Sequence, residues 1–226
     1  MIHSLWQQCM AKSLASLDMS GLKLILEELY QGRPLWSYHP GKRIPLLEDD
    51  VCIIYRGFVR TQTLQHGGDE SILGLVGPMM PVSPKFTLLN PYEVYALTPV
   101  DLLRITWSEV QRSDDLMREL NRTLIQRLRH TEVLLAVRSK RQTSERLIGF
   151  LSFLAQEYGK PTPQGIRLEV QLTHQQIADS ISTTRVTITR LLGVLKKANL
   201  IKMSPDRYLY VMDELCNNHD LDFSQY

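Results

Sequence analysis

The sequence predicts an α+β protein in three sections: an antiparallel β-sandwich, a long helix, and a basic section of two short helices followed by a two-stranded ribbon. Three observations predict it. Between Pro34 and Thr106, short apolar runs alternate with Gly- and Pro-rich turn signals, the texture of a sandwich or barrel. From Met117 to Leu135, apolar residues recur at three- or four-residue intervals, which is helical spacing. From Ser139 to Val211, eleven Lys and Arg stand against five Asp and Glu, while the 226-residue chain carries only +2 in total. That surplus of six leaves the remainder of the chain at −4. A basic segment on an otherwise acidic protein suggests a polyanionic partner.

Composition narrows the class. A hydrophobic fraction of 43% with 22% charged residues reads as a folded, soluble chain. Cys9, Cys52 and Cys216 lie far apart and form no C-x-x-C pair, so neither a disulfide framework nor a zinc site is expected. Met1 to Met10 lacks a basic start followed by an apolar core, and Ser71 to Pro84 is too short and broken to span a bilayer. A cytoplasmic protein with no membrane partner is the expectation.

The elements follow in order. Leu14 to Tyr30 reads as an amphipathic helix through Leu22, Ile25, Leu26 and Leu29. In the sandwich, "VCIIYRGFVRTQTL" is the clearest strand pair, with Gly57 permitting a tight bend. Helix resumes near Trp107 and runs towards Ser139. Its stripe of Met117, Leu120, Leu124, Leu128, Thr131 and Leu135 fits either packing on the chain's own domain or, as favoured here, a dimer seam. "SKRQTSERL" reads as a polar hinge, Arg146 to Tyr158 as a further helix, "YGKPTPQG" as a breaker and "IRLEVQL" as a short strand. The sections divide as residues 1–110, 111–138 and 139–226.

Two helix starts then lie close together. Thr173 with Gln176 is a capping-box pattern, opening a helix to Ser180, and Ile181–Ser182 makes a turn. Thr183 or Thr184 caps a second helix to Lys197, whose residues Val186 or Ile188, Leu191, Leu192 and Leu195 face the first. "LIKM" and "RYLYV" flank the turn "SPD" and form a wing. Together these make a winged helix-turn-helix. A recognition helix presents its first turns to the major groove. Arg185 there can grip guanine O6 and N7, and Val186 can meet a thymine methyl. Arg190 lies about 140° further round the helix and reaches a flanking base or phosphate. Thr187 and Thr189 are short enough to let the backbone approach DNA, and Thr173, His174, Thr184 and Lys202 are the candidate phosphate contacts.

This order of sandwich, long helix and winged helix-turn-helix resembles the Crp/Fnr superfamily over essentially the whole chain. "STTRVTITRLLGVLKK" is similar to the recognition helix of its cyanobacterial nitrogen-control branch. The resemblance implies a cupin-like β-roll sensor domain, a homodimer on double-stranded DNA with GTA…TAC-like half-sites, and RNA polymerase as a further partner. The catabolite-activator branch has Glu where this chain has Val186, so its half-sites are not expected. Ser182 departs from the Gly usual in the family's turn.

The resemblance also bears on the effector. The superfamily's cyclic-nucleotide cassette carries an arginine for the phosphate, whereas between Arg60 and Arg104 this chain has only the cation Lys85. Cyclic AMP is not expected, because a point charge does not replace the planar fork. A lone Cys9 does not supply an iron–sulfur cluster, and His39 and His66 sit in turns, so no haem is expected. "IQRLRHTEVLL" resembles the nitrogen-control helix that binds 2-oxoglutarate, with Arg127 and Glu132 at matching positions. Arg127, Glu132 and Lys85 are the candidate effector residues. For the first two, an intrahelical or cross-dimer ion pair remains open. A different small effector, or none, remains open too, as does a sensing module whose basic domain docks on a protein. No nucleophile–base pairing, phosphate-cradling loop or metal cluster suggests an enzyme.

Overall fold

A computed structural model describes residues 20–29, 31–64, 68 and 70–217. Helix α1 (Ser20–Leu29) covers the described part of the expected N-terminal helix. Leu14–Met19 and Tyr30, like Cys9 and His66, lie outside the described residues.

Eight strands follow: β1 (Trp36–Tyr38), β2 (Arg43–Ile44), β3 (Asp50–Arg56), β4 (Val59–Leu64), β5 (Glu70–Val76), β6 (Pro81–Val82), β7 (Glu93–Ala96) and β8 (Val100–Thr106). They form two antiparallel sheets, ordered β1-β8-β3-β6 and β2-β7-β4-β5. Cys52, Ile54, Val59, Val82, Val94 and Leu102 pack together in one core, while Val51 and Ile53 meet Leu22, Leu26, Leu103 and Leu116 in another. Strand β3 is thus buried on both faces, which is why "VCII" shows no polar alternation. Burial pushes the Cys52 thiol up to about 12. Gly57 has φ +88°, and a Cβ there would lie 2.1 Å from the Pro99 carbonyl oxygen. The bend therefore requires glycine.

The single helix expected from Trp107 is two. Helix α2 (Trp107–Gln111) is opened by a capping box of Thr106 and Glu109, and α3 (Asp114–Arg138) restarts with Ser113 as N-cap. Ser113 accepts from the Leu116 N–H, so a strong cap within the run interrupts it.

The stripe on α3 divides as well. Leu120 is fully buried within its own chain, in the core that contains Leu22, Ile53 and Leu116, and Met117 and Leu124 pack against the same core. Leu120 is therefore a core residue rather than a seam residue. Leu128 and Leu135 are 59% and 69% exposed, with Ile125 beside them at 49%. Thr131 is also exposed and donates its hydroxyl to the Arg127 carbonyl. A periodicity of 3.6 cannot separate a face covered by α1 from one left open, because both repeat identically.

Helix α4 (Thr143–Tyr158) begins three residues before the expected Arg146. The stretch "YGKPTPQG" is no mere breaker: β9 (Gly159–Thr162) and β10 (Gly165–Leu168) form a hairpin through it, turning at Pro163–Gln164 and entering β10 at Gly165 with φ +114°. Helices α5 (His174–Ser180) and α6 (Arg185–Lys197), the wing strands β11 (Ile201–Met203) and β12 (Leu209–Val211), and α7 (Asp213–Asn217) complete the described chain. The sheet order β11-β12-β10-β9 joins the hairpin to the wing. One apolar cluster runs from Phe58, Leu75 and Leu97 of the roll through Leu134 and Val137 of α3 into Phe150, Ile177 and Leu191.

Candidate nucleic-acid interface

The geometry of α5 and α6 follows from local capping. Thr173 accepts from the Gln176 N–H at 3.2 Å, and the Gln176 side chain accepts from the Thr173 N–H at 2.8 Å. Thr184, rather than Thr183, is the N-cap of α6, accepting from the Thr187 N–H. Between the helices the chain turns at Ser182, φ +55°, and the Thr183 N–H returns to the Ala178 carbonyl at 3.0 Å. This is a Schellman closure, whose left-handed position normally takes glycine. Serine holds the same geometry at a strain of about 1–2 kcal/mol.

The buried side of α6 is Ile188, Leu191, Leu192, Val194 and Leu195, which settles the alternative between Val186 and Ile188 in favour of Ile188. Val186 is 78% exposed. Arg185, Arg190 and Thr189 are exposed on the same helix, and neither arginine forms an ion pair among the described residues. Thr189 donates to the Arg185 carbonyl at 2.9 Å, and its oxygen lies 2.8 Å from Nδ1 of His174. Since the threonine proton is engaged, the imidazole Nδ1–H is the donor in that contact. Thr187 is partly buried and its hydroxyl pairs with that of Thr184. Lys202 is exposed on β11 of the wing. The structure thus ties His174 and Thr189 together and places Thr184, Arg185 and Val186 at the N-terminal end of α6, with Arg190 exposed one turn further on.

The candidate effector residues do not assemble into one cluster. Arg127 donates to the Pro81 carbonyl at 2.6 Å and to the Tyr92 hydroxyl at 2.7 Å, bridging α3 to the roll. Lys85 pairs with Asp49 at 3.4 Å. Glu132 is exposed on α3. Tyr92 and Pro81 carry no sequence signal for this role, whereas Ile125, three residues before Leu128, was legible from spacing alone. Among the described residues no group of three His, Cys, Asp or Glu could hold a metal ion, and no helix is long and apolar enough to cross a membrane.

A winged helix-turn-helix with a cationic recognition helix, carried behind a β-roll and a long helix, defines a DNA-binding transcription regulator. Residues 145–214 match the Crp-like helix-turn-helix domain family. The global nitrogen regulator of Synechococcus elongatus is 30% identical over 196 residues, spanning 82% of this chain and 85% of its own. Regulatory protein CysR from the same organism is 34% identical over 171 residues, 74% of this chain and 79% of that one. With the global nitrogen regulator of Synechocystis the identity is 38% over 117 residues, about half of each chain (50% and 52%). Among solved structures, a CooA mutant from Carboxydothermus hydrogenoformans superposes with a TM-score of 0.70 at 20% identity, covering 92% of this chain and 98% of that one. A CRP-family transcriptional regulator from Thermus thermophilus gives 0.66 at 19% identity, covering 81% and 97%. The chain belongs to the Crp/Fnr family of transcription regulators. The alternative of a module docking on a protein finds no support among these relatives.

Proposed function

We propose that the protein binds a palindromic DNA site as a homodimer and reads it with the first turns of α6. The exposed arginine face of that helix carries the reading. Val186 supports it, since an apolar side chain 78% exposed beside two arginines has nothing among the described residues to cover it. Arg185 is the guanine reader, Val186 the thymine contact, and Arg190, Thr187 and Thr189 line the flanking bases. Thr173, His174, Thr184 and Lys202 hold phosphates. Ile125, Leu128, Thr131 and Leu135 face the partner subunit, between a roll of residues 1–110 and a DNA-binding section of 139–226. The regulator acts in the cytoplasm, with RNA polymerase as its second partner.

The relatives named as global nitrogen regulators favour nitrogen control and a dicarboxylate such as 2-oxoglutarate, with Arg127 as its cation at the roll–helix junction. Lys85, held by Asp49, does not favour a cyclic nucleotide. Titration calorimetry separates the two effectors: saturable heat with 2-oxoglutarate and none with cyclic AMP is expected.

Selection from a random duplex pool tests the DNA reading. The wild type should return a palindrome with half-sites about 34–36 Å apart, and its affinity should fall steeply as salt rises. Arg185→Ala should cost about 1–3 kcal/mol on that site and flatten one position per half-site. Arg185→Lys should recover little, because an ammonium cannot reproduce the fork. An unchanged motif for the alanine variant would assign specificity elsewhere on the helix.

A further inference from the structure

Where the roll, α3 and α4 meet, a chain of polar groups is buried. Tyr158, the last residue of α4, directs its ring into the roll, edge-on to Phe58 at 5.0 Å. His130 of α3 is 4% exposed and also stands edge-on to Tyr158 and to Phe153. The Tyr158 hydroxyl lies 3.3 Å from His130 Nδ1 and 3.9 Å from Met80 Sδ of the roll. His130 Nε2 lies 2.5 Å from a Glu157 carboxylate oxygen, to which Gln126 Nε2 donates at 3.0 Å. One proton arrangement links Tyr158, His130 and Glu157 in a chain. Tyr158 O–H donates to His130 Nδ1, and His130 Nε2–H donates to the Glu157 carboxylate.

Phenylalanine and leucine would fill this junction without desolvating a phenol, an imidazole and a carboxylate, so the polar groups are there for direction rather than for burial. The surroundings agree. Gly77 has no left-handed φ, yet a Cβ there would lie 2.6 Å from the Tyr158 ring, so its missing side chain makes room for that ring. Directly after Tyr158 the chain turns into β9, and a Cβ on Gly159 would lie 2.0 Å from the Ala155 carbonyl oxygen. The Tyr158 carbonyl accepts from the Glu169 N–H at 2.9 Å. The backbone of Tyr158 is thus fixed in the winged section, while its hydroxyl is fixed to the roll and to α3.

We infer that Tyr158 is a positioning residue for DNA recognition: through its hydroxyl, His130 and Glu157, it sets the angle at which the winged section leaves the roll. This rests on the reading of a dimer on a palindrome. In such a dimer that angle fixes the separation and phase of the two recognition helices. Loss of the hydroxyl widens the range of angles, so the protein tolerates half-sites at the wrong spacing. Contact with any one half-site is unaffected.

The test compares the selected palindrome with a version one base pair longer in its spacer, which shifts a half-site by about 3.4 Å and rotates it by about 35°. Fluorescence anisotropy gives both affinities for the wild type, Tyr158→Phe and His130→Gln, with a random duplex as control. Thermal melting verifies folding. The wild type should discriminate strongly between spacers, and each folded variant should lose at least about fivefold of that discrimination while binding the random duplex as before. Tyr158→Phe keeps the ring, so a residue that merely fills space would leave the ratio unmoved. If Tyr158→Phe fails to fold, His130→Gln decides. Unchanged discrimination in the folded variants overturns the inference alone. Failure of the wild type to bind any palindrome removes the DNA reading, and this inference with it.

Discussion

Helices α3 and α6 each leave one face uncovered, and they differ in what that face carries. On α3 it is Ile125, Leu128 and Leu135, between 49% and 69% exposed. On α6 it is Arg185, Thr189 and Arg190 around a single apolar residue, Val186. An open aliphatic stripe is satisfied by another aliphatic stripe, whereas exposed arginines with no ion partner among the described residues suit a polyanion. The difference teaches that the class of partner is written in the chemistry of the open face. The same α3 also shows that periodicity does not say which face is open, since Leu120 and Leu128 share one repeat and only Leu120 is covered by α1.

The largest effect should come from breaking the aliphatic face. Leu128→Glu with Leu135→Glu should give a monomer by sedimentation equilibrium and lower affinity for the palindrome about 10²-fold or more, because two linked half-site contacts become one. A persistent dimer would show that the open stripe is not the seam. Leu120→Ala sharpens the contrast. It should cost about 2–5 kcal/mol in urea unfolding through a cavity in its own chain, with the concentration dependence of dimerisation unchanged.

Ser182→Gly acts on the other helix. Relief of the left-handed strain between α5 and α6 should raise stability by about 1 kcal/mol, read as a higher urea midpoint at an unchanged m-value. The smallest effect is acid dependence at the cap of α2. Burial opposes the charge on Glu109, but hydrogen bonds from Arg33 and from the Thr106 backbone and hydroxyl outweigh it and hold its carboxyl below the ordinary 4.5. A carboxylate depressed in the fold contributes stability above its unfolded value and loses it as pH falls through the folded one. Glu109→Gln keeps the capping pattern without the charge. The wild type should therefore lead it in stability at neutral pH and lose that lead below about pH 4.5.

The winged section was the most legible part of the chain. Its caps at Thr173 and Thr184, its turn at Ser182 and its wing are local devices, closed within short stretches of chain: three residues at each cap, from Ala178 to Thr183 at the turn and from Ile201 to Val211 in the wing. The β9–β10 hairpin escaped because Pro161 and Pro163 read as breakers, while pairing with the distant β12 makes that strand part of a sheet. The break between α2 and α3 was local too: Ser113 is a cap signal that the longer apolar repeat obscured.

What the sequence by itself determined was the class of protein and the arginine face of α6. Both depend on short-range hydrogen bonds and on charges that no described neighbour cancels. Only the tertiary structure decided which part of the α3 stripe was free, that Arg127 meets Tyr92 and Lys85 meets Asp49, and that His130, Glu157 and Tyr158 converge. The polar contacts join residues 27 to 36 positions apart in the chain, and the covering of Leu120 by Leu22 and Leu26 joins residues farther apart still. Contacts at such separations are chosen by how the roll, the long helix and the winged section pack, and no local pattern records them.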